Sequence, residues 1–91
     1  MIMRRVHIVI KGQVQGVFFR ANLKELASQL NITGWTRNIN HEVEALLEGD
    51  DDSIADILIF CTKGTKNAKV KSIDLDEEPY IGEFDEFSII D

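Results

Sequence analysis

The stretch Gly12-Gln13-Val14-Gln15-Gly16-Val17-Phe18-Phe19-Arg20 lies between an apolar, strand-like segment and an amphipathic, helix-like one. Two glycines four residues apart allow the main chain to turn tightly at positive φ, so that successive N–H groups can point into one concavity. The following helix adds unpaired N–H groups and the positive end of its dipole, and Arg20 adds a planar fork of donors. The stretch indicates an anion-binding loop, although glycines before a helix also occur for reasons of turn geometry alone.

The segments on either side of this loop have different periodicities. Residues 5–11 alternate, with Val6, Ile8 and Ile10 on one face, which predicts a first strand covered on one side only. Residues 21–31 carry apolar side chains at i, i+3, i+4 and i+7, which predicts a helix packed on the sheet. The loop therefore connects the end of a strand to the start of a helix.

A hairpin and a second helix are predicted next. Strands over residues 33–39 and 42–48 are joined by a short turn at Asn40-His41. The acidic turn Gly49-Asp50-Asp51-Asp52-Ser53 precedes a helix predicted over residues 53–62. We expect the aspartates to cap that helix, because a calcium loop would need alternating ligands and a distal glutamate.

Two further strands complete the chain, which we expect to form a single domain over residues 1–91. They are predicted at residues 68–76, where a slip in the alternation indicates a bulge or a strand that starts late, and at residues 86–90. The order βαββαβ plus a short terminal strand predicts an α+β, ferredoxin-like α/β sandwich with two helices on one face of a mostly antiparallel sheet. In this topology strands one and two are parallel, with another strand between them. The loop at residues 15–20 and Asn38 should therefore meet at one edge of the sheet.

Composition and charge narrow the classes of partner. The chain has 91 residues and a formal charge of −6, which argues against nucleic acid or an anionic membrane as partner. No apolar run approaches the roughly 20 residues of a transmembrane helix, and the first residues do not form a signal peptide, so we expect a cytoplasmic location. We also expect a monomer. His7 and His41 make a weak case for a metal site, and we read His7 as a solvated side chain. The single Cys61 is read as a buried structural thiol.

The string GQVQGVFFR resembles the acylphosphatase signature G-x-V-Q-G-V-x-F-R, and Gly34-Trp35-Thr36-Arg37-Asn38 resembles the second signature of that family at the usual separation. The likeness extends from Val6 to about Ile90 and weakens after Gly64. The resemblance implies hydrolysis of the carboxyl–phosphate bond of small acyl phosphates to carboxylate and inorganic phosphate. It also implies that water is the nucleophile and that no metal or other cofactor takes part.

The resemblance also implies a role for each residue of the site. Arg20 and Asn38 are the implied catalytic residues: the Arg20 guanidinium holds the phosphoryl group and the Asn38 amide orients the attacking water. The main-chain amides implied to hold the phosphoryl group as well belong to Gln15, Gly16, Val17, Phe18 and Phe19. A carboxylate leaving group, with a conjugate-acid pKa of roughly 4, departs without protonation. The chemistry therefore needs no general acid.

Simpler interpretations exist for the same residues. Arg20 could be a surface residue that forms salt bridges at the helix entrance, and Asn38 could be a turn residue. Phe19 and Trp35 are read as core aromatics. The whole protein could be a non-catalytic anion-binding module on the same fold. An RNA-binding domain is disfavoured because it would need exposed aromatic pairs and a basic sheet.

The chain departs from the family pattern in two places. The segment from Asn38 to Val43 is one residue shorter than usual and lacks its glycine. We therefore expect Asn40 to adopt the left-handed conformation in a rebuilt turn, and this change is the feature that favours the non-catalytic alternative. The segment Gly64-Thr65-Lys66-Asn67 lacks a proline that is common in the family. It is far from the loop in sequence, and we expect it only to be looser.

Overall fold

The sheet and its two helices follow the predicted order. The computed structural model describes residues 2–90. Its elements are β1 (Met3–Gln13), α1 (Phe19–Gln29), β2 (Thr33–Ile39), β3 (Glu42–Asp50), α2 (Asp51–Lys63), β4 (Lys69–Glu78) and β5 (Phe87–Ile89). The strands form one sheet in the order β4-β1-β3-β2-β5. The ferredoxin-like α+β fold predicted from the sequence is confirmed.

Strand β3 lies between β1 and β2 and is antiparallel to both. Strands β1 and β2 are therefore parallel to each other, and their carboxyl ends lie at the same edge of the sheet. The short strand β5 pairs in parallel with β2 and forms one border, while β4 pairs with β1 and forms the other. The loop after β1 thus lies between the end of β2 on one side and the start of β4 on the other.

One face of the sheet forms the core with the two helices. The alternation predicted for β1 is confirmed, because Val6, Ile8 and Ile10 are all fully buried. They pack with buried side chains of both helices, namely Phe19, Leu23, Ala27, Ile54, Ile57 and Cys61. Burying an aliphatic or aromatic side chain stabilises a fold by about 1.5 to 3 kcal/mol, so this layer provides most of the packing energy. Burial also raises the pKa of the Cys61 thiol to about 12, which fits a structural residue.

Helix α2 begins directly after β3, two residues earlier than predicted. Asp50 is its N-cap, and Oδ1 of Asp50 accepts a hydrogen bond of 3.0 Å from the Ser53 amide. That hydrogen bond, together with the hydroxyl of Ser53, lowers the pKa of Asp50. Asp51 and Asp52 lie in the first turn, where carboxylates interact favourably with the helix dipole. The expected capping role of the aspartates is confirmed.

The slip in alternation within β4 is a β-bulge. Lys11 pairs with Ser72 and Gly12 pairs with Val70, so Lys71 is the extra residue on β4. Gly12 has a φ of 135°, and a Cβ atom there would lie 2.0 Å from the carbonyl oxygen of Lys69. Only glycine allows the two main chains to approach this closely.

The expectation that Trp35 is a core aromatic is wrong. The core-facing positions of β2 belong to the buried Gly34 and Thr36, because these pair with Leu47 and Ala45 of the core face. Trp35 therefore lies on the open face, half-buried, with Cζ of Arg37 5.6 Å from the centroid of its ring. The other aromatic predicted for the core, Phe19, is buried as expected.

His7 is held by a partner on the open face and is not simply solvated. Its Nε2 atom lies 2.6 Å from Oε2 of Glu44, whose Oε1 accepts a 2.6 Å hydrogen bond from Nε of Arg37. Burial alone would raise the pKa of Glu44. The hydrogen bonds from His7 and Arg37 outweigh that effect and lower it.

A buried carboxylate anchors the segment between β4 and β5. Oxygens of Glu48 accept hydrogen bonds from the amides of Ile81, Gly82 and Glu83, at 3.1, 3.1 and 2.8 Å, and Nη1 of Arg5 lies 3.3 Å away. Burial would raise the pKa of Glu48, but these donors outweigh it and lower the pKa below its ordinary value. No local pattern in the sequence singled out Glu48, because its donors come from a distant segment.

Among residues 2–90, no helix is both long and apolar enough to cross a bilayer.

Candidate active site

The loop between β1 and α1 contains two residues with positive φ. Gly16 has a φ of 71°, and a Cβ atom there would meet no heavy atom within 4 Å. The backbone angle, not the space, therefore favours glycine. Phe18 has a φ of 61° and a ψ of 21°, a left-handed conformation that costs a non-glycine residue roughly 1 to 2 kcal/mol. It is the residue before α1, and its side chain is 77% exposed.

Two carbonyl groups of this loop accept hydrogen bonds, whereas the loop amides have no acceptor within residues 2–90. The hydroxyl of Thr65 donates to the carbonyl oxygen of Val17 at 2.8 Å. The carbonyl oxygen of Phe18 accepts from the main-chain and side-chain nitrogens of Asn22, at 3.0 and 2.8 Å. Within the described chain, no amide of residues 15–18 donates a hydrogen bond to another protein group. These donors are therefore available to an anion.

The two helices differ in how the unpaired N–H groups of their first turns are hydrogen-bonded and neutralised. Helix α2 has the Asp50 cap and two carboxylates, whereas α1 has no side-chain cap hydrogen bond and no acidic residue in its first turn. The unpaired N–H groups at a helix start carry a partial positive charge of roughly half a proton. At α1 the protein neither pairs nor neutralises this charge, so an external anion can do so.

Arg20, predicted to precede the helix, lies in the first turn of α1 and lines a cleft of about 260 Å³. The cleft is lined by Val14, Gly16, Phe18, Phe19, Arg20, Ala21 and Ile89. The interpretation of Arg20 as a salt-bridging surface residue would require an acidic partner, and none of the ion pairs within residues 2–90 involves it. Within residues 2–90 its guanidinium therefore has no acidic partner and can bind a ligand in this cleft, which we call the main cleft.

Asn38 lies at the same edge of the sheet but does not line the main cleft. It pairs with the core residue Val43, so its side chain lies on the face that carries the helices. It is exposed, and it remains within β2 despite the shortened turn. Asn40 has a φ of 54°, which confirms the expected left-handed turn residue.

The side chain of Gln15 connects the loop to this turn. Its Nε2 atom donates to the carbonyl oxygens of Asn40 and Glu42, at 3.1 and 2.9 Å. From the sequence, only the main-chain amide of Gln15 was assigned to the site. No pattern within the single sequence pointed to its side-chain role, because the acceptors are main-chain atoms about 25 residues away.

The segment Gly64-Thr65-Lys66-Asn67 has a larger role than the looser loop expected from the sequence. Thr65 contacts the carbonyl of Val17 directly, as described above. This contact could not be predicted from the distance in sequence, because α2 returns the chain to the edge of the sheet where the loop lies.

In the part of the chain that the structure describes, no group of three or more His, Cys, Asp or Glu side chains could hold a metal ion.

The fold is that of a small α+β protein, and among residues 2–90 neither the first turn of α1 nor Arg20 has an acidic partner. The family model for acylphosphatase matches residues 6–89. The chain belongs to the acylphosphatase family. It is 43% identical to the acylphosphatase of Syntrophus aciditrophicus (strain SB) over 90 residues, covering 98% of this chain and 94% of that protein.

Solved structures agree with this assignment. The crystal structure of acylphosphatase from Bacillus subtilis superposes with a TM-score of 0.91 at 28% identity, covering 96% of this chain and 98% of that one. The structure of an acylphosphatase from Coxiella burnetii gives a TM-score of 0.89 at 30% identity, with coverages of 97% and 93%. The similarity therefore extends over nearly the whole of each chain.

Proposed function

We propose that this protein hydrolyses the carboxyl–phosphate bond of small acyl phosphates to carboxylate and inorganic phosphate, with water as nucleophile and no metal ion. The observation that supports this proposal most is the start of α1. There, loop amides and an arginine, Arg20, that have no partner within residues 2–90 adjoin the main cleft. Membership of the acylphosphatase family supports this activity.

The phosphoryl group would bind in the main cleft. In phosphoryl transfer, negative charge is spread over three equatorial oxygens, and catalysis depends mostly on positioning and electrostatic stabilisation. The amides of residues 15–19 and the guanidinium of Arg20 provide fixed donors for these oxygens. The whole chain carries a formal charge of −6. The attraction between the protein and an anionic substrate therefore has to come from these donors locally.

The nucleophile would be a water molecule held by the side-chain amide of Asn38. Its position on the helix-bearing face, at the edge where the loop begins, supports this role. The hydrogen bonds from Gln15 to the neighbouring turn keep the loop and the end of β2 in one arrangement. Water oxygen would attack phosphorus, the bond from phosphorus to the acyl oxygen would break, and its electron pair would leave on the carboxylate.

The non-catalytic alternative rested on the shortened turn after Asn38. The turn is closed by Asn40 in the left-handed conformation, and β2 keeps its pairing as far as Ile39 with Glu42. The position of Asn38 in the strand is therefore retained. Relatives named acylphosphatase over nearly their full length also favour an enzyme.

A hydrolysis assay with benzoyl phosphate tests the proposal. We expect turnover by the wild type and a loss of about 10²- to 10³-fold in Arg20→Ala, because that variant lacks aimed transition-state donors. Lys24→Ala, at an exposed position of the same helix, is the charge-matched control and should retain activity. Activity should survive EDTA. Absence of turnover by folded wild-type protein, or an Arg20→Ala variant as active as the control, would contradict the proposal.

Inorganic phosphate provides a second readout that does not depend on turnover. Phosphate shares the phosphoryl oxygens of the substrate, so it should inhibit competitively and raise the melting temperature of the wild type. The shift should be smaller in Arg20→Ala than in Lys24→Ala. Equal shifts in the two variants would show that Arg20 does not bind the phosphoryl group.

A further inference from the structure

A second cleft adjoins the loop on the side away from Asn38. It has a volume of about 330 Å³ and is lined by Val17, Phe18 and Phe60, and by the polar residues Asn22, Thr65, Lys66 and Asn67. We call it the side cleft. Phe18, which is exposed, lines both clefts, so the two clefts adjoin each other at this residue. The side cleft is therefore next to the proposed phosphoryl site.

The side cleft lies in the most basic part of the chain. Four of the ten lysine and arginine residues fall within residues 63–71, and no aspartate or glutamate occurs between Asp56 and Asp74. These lysines are exposed, and none of them takes part in the ion pairs found within residues 2–90. They are Lys63, Lys66, Lys69 and Lys71. In a chain of charge −6, a cationic segment beside the candidate active site would attract anionic groups to it.

The sheet order determines which side of the loop the leaving group would face. An in-line displacement requires the nucleophile and the leaving group on opposite sides of phosphorus. Asn38 lies at the end of β2, whereas Thr65 and Lys66 lie just before β4. In the sheet order, β1 and the loop that follows it lie between β2 and β4. A water held by Asn38 would therefore displace the acyl oxygen towards the β4 border. The side cleft is at that border.

We propose that the side cleft holds the acyl portion of the substrate and that Lys66 favours acyl phosphates bearing a carboxylate at the far end of the acyl group. This inference rests on the proposed function. Phe18 and Phe60 would contact the carbon skeleton, while Asn67 would offer an amide donor in the same cleft as Lys66. One ammonium group matches the single charge of a carboxylate. A second phosphate would be better served by an arginine fork.

The segment's attachment to the loop supports this role for Lys66. The hydrogen bond of 2.8 Å from Thr65 to Val17 joins the residue before Lys66 to the loop itself. Lys66 is thereby kept near the phosphoryl site although its own side chain is exposed. Phe18, in turn, is kept in its left-handed conformation by the two hydrogen bonds from Asn22.

A matched pair of substrates tests the inference. Benzoyl phosphate and 4-carboxybenzoyl phosphate differ only in one carboxylate. The measured quantity is the ratio of their kcat/KM values in wild type, Lys66→Gln and the charge-matched control Lys24→Gln. We expect Lys66→Gln to lower the preference for the carboxylated substrate by about two- to fivefold, the range of an exposed ion pair, mainly through KM. The control should keep the wild-type ratio.

The outcomes separate this inference from the proposed function. An unchanged ratio in Lys66→Gln, with both substrates hydrolysed, would overturn the inference alone. An equal loss of preference in Lys24→Gln would also overturn it, because net charge would then explain the effect. Hydrolysis of neither substrate by the wild type would overturn the proposed function as well. Melting curves of the variants establish that each is folded.

Discussion

The side-chain nitrogen of Gln15 lies 2.9 Å from the main-chain carbonyl oxygen of Glu42. The same nitrogen donates to the carbonyl oxygen of Asn40 at 3.1 Å. One amide group thus joins the loop after β1 to the turn that follows Asn38. The proposed phosphoryl donors and the proposed water ligand are on different elements, and this contact adds to the sheet pairing that holds those elements together.

Replacing Gln15 by leucine should lower kcat while leaving phosphate binding largely intact. The loop amides and Arg20 remain in Gln15→Leu, but the β2–β3 turn is no longer held against the loop. A misplacement of about 1 Å can cost on the order of 100-fold in rate, and we expect a loss of about 10- to 100-fold. Steady-state kinetics and the inhibition constant of phosphate measure the two effects. Gln13→Leu, at an exposed position of β1, is the control, and a similar loss there would contradict this role of Gln15.

Arg20→Lys should be nearly as damaging as Arg20→Ala. A guanidinium offers two parallel N–H donors to two oxygens, whereas an ammonium group is a point charge on a flexible chain. Loss of one aimed donor costs about 10²- to 10³-fold in rate, so both variants should fall by at least this factor in kcat/KM. If Arg20→Lys kept most of its turnover, charge alone would suffice and the bidentate role would have to be abandoned.

Asn38→Ala should lose turnover and retain phosphate binding. The amide is proposed to hold the water and not the anion, so kcat should fall by about 10- to 100-fold. The increase in melting temperature caused by phosphate should match that of the wild type. A variant that loses phosphate affinity in proportion to its activity would show that Asn38 contacts the phosphoryl group instead.

Glu48 should make the protein less stable in acid. Its pKa in the folded state is below the ordinary value of 4.5. At pH values between these two pKa values, the unfolded chain therefore binds more protons than the folded one. The free energy of unfolding should therefore fall as the pH decreases from about 4.5 towards the folded-state pKa. In Glu48→Gln this contribution is absent, and the decline should be shallower.

At neutral pH the same substitution should destabilise the protein by about 1 to 3 kcal/mol, because the amides of residues 81–83 lose a charged acceptor. Urea unfolding at several pH values measures both effects. Glu25→Gln is the matched control, since Glu25 is exposed and its side chain forms none of the hydrogen bonds or ion pairs seen within residues 2–90. A Glu48→Gln variant with the wild-type acid dependence would contradict the assignment.

Local patterns in the sequence were enough to predict most of the elements. Alternation located β1, and apolar positions three and four residues apart located both helices, because burial of one face dictates these periods. The predicted ends of the helices and strands were less accurate. Helix α1 begins at Phe19, two residues before the predicted start, because Phe18 adopts a left-handed conformation that no propensity indicates. Trp35 was assigned to the wrong face because Gly34 and Thr36, which give little hydrophobic signal, occupy the core positions of β2.

For the candidate site as well, some features could be predicted from the sequence and others could not. The loop, Arg20 and Asn38 could be identified from the sequence because their chemistry depends on residue type and on spacing within short segments. Their meeting at one edge also followed, once the order of elements implied parallel β1 and β2. The tertiary structure alone decided how the loop is held, through Gln15 to the turn of residues 40–42 and through Thr65 to Val17. These contacts join side chains to main-chain atoms far away in sequence, and a main-chain acceptor carries no residue-specific signal by which the partner could be recognised.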